Sequence, residues 1–156
     1  MIFNLVIFDS DPEKVIALES AFGELASVTI LHVDTMLYLR PPKGIDVLYL
    51  PLAAAERWGS KPLVHESQIL STSLNDQESG LPPFIVAGTC LAPNDPRGSV
   101  PEMKLLLLSV FNAIRSFNSR GKRKLRRVGF WGDNLLTGLT PHELKGILLS
   151  VVPELL

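Results

Sequence analysis

Apolar residues in this chain fall into short solid runs, separated by stretches where they recur every three or four positions. The first run, IFNLVIFD (Ile2 to Asp9), ends in turn chemistry and predicts a buried strand. SDPEKVIALESAFGEL follows, with Ser10 or Asp11 as N-cap, Pro12 at the first helical position, acids in the first turn, and Val15, Leu18 and Phe22 at helical spacing. SVTILHV is rich in β-branched residues and predicts a second strand. After RPPKG, a stiff turn, IDVLYLPL predicts a third strand, apolar enough to be buried on both faces.

Between Ala53 and Leu81 the pattern is weaker. AAAERWGS suggests a helical turn, PLVHESQILSTSL a helix, and NDQESGLPP a loop. FIVAGTCL (Phe84 to Leu91) is a fourth apolar strand, and APNDPRGS after it is irregular. VPEMKLLLLSVFNAIRSFNSRG is the clearest helix, with Ser99 as cap, Pro101 and Glu102 in its first turn and Gly121 as its stop. LRRVGFW predicts a fifth strand, and TPHELKGILLSVV a last helix capped by Thr140. Strands that alternate with helices and are buried on both faces mean an α/β sandwich with a largely parallel sheet.

Composition narrows this picture. A chain of 156 residues, 46% hydrophobic, fits one domain spanning positions 1–156, with one core and no interdomain linker. The net charge of −1 argues against a chain whose whole surface binds polyanions. The single cysteine, Cys90, excludes an internal disulfide or a cysteine-based zinc cluster, and the three histidines show no ligand spacing, so no metal is expected. The N-terminus lacks the basic lead and cleavage site of a signal peptide, and no segment reaches 18 apolar residues. The expectation is a soluble cytoplasmic protein without membrane contact.

In an open parallel sheet, ligands bind beyond the carboxyl ends of the strands, where helix N-termini and loop amides point. That rule selects the loops DSDP, DTM, LAAAERWGSKP, TCLAPNDPRG and WGDNLLTG. It sets apart RGKRKLRR (Arg120 to Arg127), which holds six of the fifteen basic residues and joins a helix C-terminus to a strand start. Cations there suit the helix dipole and keep the loop solvated. A weak polyanion contact at Arg120 to Arg127 is the other reading.

Three stretches carry a family resemblance: VTILHVDTM followed by GIDVLYLPLA, then PPFIVAGTCLAP with its long helix, then VGFWGDNLLTGLTPHELKGIL. Together they resemble the macro domains, the ADP-ribose-binding modules, from about Ser27 to Val152. The resemblance implies a three-layer α/β/α sandwich with a mixed, mostly parallel central sheet. It also implies ADP-ribose or a related nucleotide as ligand, with no cofactor.

Position by position, Asp34 matches the family's aspartate that accepts from the adenine amino group, although DTML also reads as a turn or a helix cap. Ala53, with Ala54 beside it, stands where the family places an asparagine that holds the distal ribose and assists catalysis in hydrolases. Alanine has neither donor nor acceptor. The glycines that usually follow are reduced to Gly59, and Trp58 offers either a stacking surface or rim packing. Thr89 matches a threonine of one subgroup, with Cys90 beside it read as structural. In the last loop, where the family has closely spaced glycines for a diphosphate, only Gly132 and Gly138 remain, around Asp133, Asn134 and Thr137.

The expectation is a divergent binding module for ADP-ribose or a related nucleotide or phosphate, without catalytic residues. Two alternatives stand beside it. One is an ADP-ribosyl ester hydrolase using Asp9, Asp11, Asp95 or Asp133, though no pair of them has a spacing that compels acid–base roles. The other is a degenerate fold that serves as an interaction scaffold.

Overall fold

The computed structural model describes residues 3–34, 44–51, 69–71, 84–88, 100–120, 124–132 and 139–156. These residues form an α/β fold. Strands β1 (Asn4–Asp9), β2 (Val28–His32), β3 (Val47–Pro51), β4 (Ile69–Ser71), β5 (Phe84–Gly88) and β6 (Arg127–Trp131) make one sheet in the order β2-β1-β6-β3-β5-β4. Five strands run parallel, and β4 pairs antiparallel with β5 at the edge. The strand at Ile69–Ser71 corrects the expectation of a helix across PLVHESQILSTSL. Ile69 and Leu70 gain their partners from Val86 and Ile85, a distant pairing that local periodicity does not report.

Helices α1 (Pro12–Phe22), α2 (Val100–Arg120) and α3 (Pro141–Val151) form one contiguous layer in which α3 packs between α1 and α2. The topology explains this. β1–α1–β2 and β5–α2–β6 both step in the same direction across the sheet, so crossovers of one hand put both helices on the same face. Alternation along the strands then sets the core. Leu5 and Ile7 of β1, Val47 and Tyr49 of β3, and Val128 and Phe130 of β6 face the helices. From the helices, Leu18 and Phe22, Leu107 and Phe111, and Leu144 and Leu148 meet them. Phe3 packs edge-on against Phe111, with ring centres 5.5 Å apart. On the other face Val6, Phe8, Ile45 and Leu48 are buried as well, so the central strands are covered on both sides.

Local chemistry fixes the element ends. Asp11 is the N-cap of α1 and accepts from the Glu13 N–H, with Pro12 at the first position. Gly44, with φ of 84°, sits in the left-handed region just before β3. Asp46 then clasps β3 to β6 at their amino ends, its Oδ2 accepting from both Arg126 N–H and Arg127 N–H at 2.9 Å. None of the described helices is long and apolar enough to cross a membrane.

Candidate functional site at the carboxyl ends of the strands

The chain leaves β1 for β2 on one side of the sheet, while β3 has its remaining partners on the other, and β6 lies between β1 and β3. The carboxyl end of β6 is therefore where the sheet's connections diverge, the place at which such sheets hold ligands. Among the described residues, pairing between β3 and β6 covers Val47 with Val128 and Leu48 with Gly129. Yet β3 pairs with β5 as far as Pro51, and β6 pairs with β1 as far as Trp131. Held together by Asp46 at one end, β3 and β6 stay in contact beyond these pairs through the Tyr49 and Phe130 rings, whose centres lie 5.7 Å apart.

Asp9 ends β1 at this point and is 1% exposed. Its Oδ1 accepts from the Asp11 N–H at 2.9 Å, and its carbonyl oxygen accepts from the Val33 N–H at 3.0 Å. One residue thus ties the entry to α1 and the exit of β2 to the centre of the sheet. Gly132, buried and next after β6, lies against the same carboxylate: a Cβ built on it would fall 2.4 Å from Asp9 Oδ2. The glycine is required by this approach.

Around this centre, His32 Nε2 lies 3.2 Å from the Ser10 carbonyl oxygen, joining the end of β2 to the loop before α1. Asp34 follows two residues later and is exposed. The start of α3 is closed by a capping box. Thr140 Oγ1 accepts from the Glu143 N–H at 3.2 Å, and Glu143 Oε1 accepts from the Thr140 N–H at 3.1 Å. α1 and α3 both begin with proline, which has no N–H, and both give an early amide to their own cap. Their first turns therefore offer few free donors to an anion.

Of the residues singled out by the sequence, the structure brings Asp34, Asp9, Asp11 and Gly132 to this end of the sheet. Asp11 is committed to capping α1. Ala53, Ala54, Trp58, Gly59, Thr89, Asp133, Asn134, Thr137 and Gly138 lie outside the described residues, as do Cys90 and Asp95. Among the described residues no three His, Cys, Asp or Glu side chains gather in a way that would hold a metal ion. The contact of Asp9 with Gly132 was not legible in advance. Its one trace in the sequence is that each of these residues closes an apolar run at a strand's carboxyl end.

The run from Arg120 to Arg127 leads into the amino end of β6, opposite this site, as expected from its place between a helix and a parallel strand. No protein-family model matches this chain, and no curated protein matches it in sequence.

Proposed function

We propose that this chain binds ADP-ribose or a related nucleotide at the carboxyl ends of β1, β3 and β6, without a catalytic step of its own. The observation that carries the reading is the divergence of the sheet's connections at the carboxyl end of β6, at the centre of a parallel sheet. The resemblance of the surrounding segments to macro domains supplies the ligand class. On this reading the fold is the three-layer α/β/α sandwich of that family, which the burial of both sheet faces supports. Asp34 acts as acceptor for the exocyclic amine of the base, and the loop after Gly132 meets the phosphates. Alanine at position 53 removes the amide that assists catalysis in the family's hydrolases, so binding without turnover is the expected outcome.

A second reading has its own support. The early amides of α1 and α3 are taken by their caps, and Gly132 is explained by Asp9 without any ligand. A scaffold that has kept the fold and lost the ligand fits both facts. Calorimetric titration with ADP-ribose separates the two readings, since only the first predicts saturable heat.

A further inference from the structure

We draw no further inference here: the strongest candidate, a cavity of about 380 Å³ between the last turns of α2 and the end of the chain, lined by Phe3, Arg115, Asn118, Ser119, Lys124 and Glu154, carries nothing, because its polar side chains already serve the fold, Arg115 holding the Val151 carbonyl oxygen and Glu154, Lys124 the Asn118 carbonyl oxygen, Ser119 that of Ser116 and Asn118 both backbone groups of Leu125, and nothing in the structure shows what would fill it.

Discussion

Gly132 meets Asp9 so closely that a methyl group on the glycine would stand 2.4 Å from the carboxylate Oδ2. The contact joins the carboxyl ends of β1 and β6 at the centre of the sheet. Asp9 has little room to retreat, because its other carboxylate oxygen and its carbonyl oxygen already hold Asp11 and Val33. Gly132→Ala is therefore expected to destabilise the fold by about 1–3 kcal/mol, the usual range for overpacking. Denaturant unfolding measures this, and Asp9→Ala in the same chain should relieve most of it. Additive losses would show that the two positions do not compete for space.

Gly146 provides the contrast. It lies inside α3, and a Cβ there meets nothing within 4 Å. Gly146→Ala is expected to stabilise the protein by about 0.5–1 kcal/mol, since alanine loses less backbone freedom in a helix. A higher midpoint of thermal or urea unfolding confirms it, and a lower one contradicts it.

Asn118 is 2% exposed and bridges the end of α2 to β6, donating from Nδ2 to the Leu125 carbonyl oxygen at 3.0 Å and accepting the Leu125 N–H at 2.7 Å. Asn118→Leu leaves both backbone groups of Leu125 buried without that partner. A loss of about 2–4 kcal/mol is expected, because each deserted buried polar group costs about 1–3 kcal/mol. Chemical denaturation gives the value, and a change under about 0.5 kcal/mol would mean that water replaces the amide.

Asp34 is exposed just past β2, so removing its carboxylate should leave stability nearly unchanged. Asp34→Ala is expected to weaken ADP-ribose about tenfold or more, the worth of a hydrogen bond to a charged group, and to leave ribose 5-phosphate nearly unaffected. Equal losses for the two ligands would remove Asp34 from the base site.

How much of this the sequence carried differs element by element. The strands at Asn4–Asp9 and Val47–Pro51 were legible because burial on both faces leaves a solid apolar run. The caps at Asp11 and Thr140 were legible because their partners lie within three residues. β4 was not, since its three residues are set by pairing with β5 rather than by any local period. The Asn118–Leu125 bridge and the Asp9–Gly132 contact escaped for the same reason: they are agreements between segments, and each residue alone reads as an ordinary helix or turn position. At the candidate site, the rule that ligands sit beyond strand carboxyl ends pointed to loops that begin where β1, β2 and β6 finish. It gave no hint that Gly132 answers to Asp9.

The proposed nucleotide site lies at the carboxyl ends of β1, β3 and β6, where the sheet's connections diverge. Calorimetric titration of the full chain with ADP-ribose tests it most directly. A saturable, one-site isotherm that Asp34→Ala weakens is the expected result. Absence of binding heat up to millimolar ADP-ribose, with the chain shown to be folded, would contradict it and leave the scaffold reading in its place.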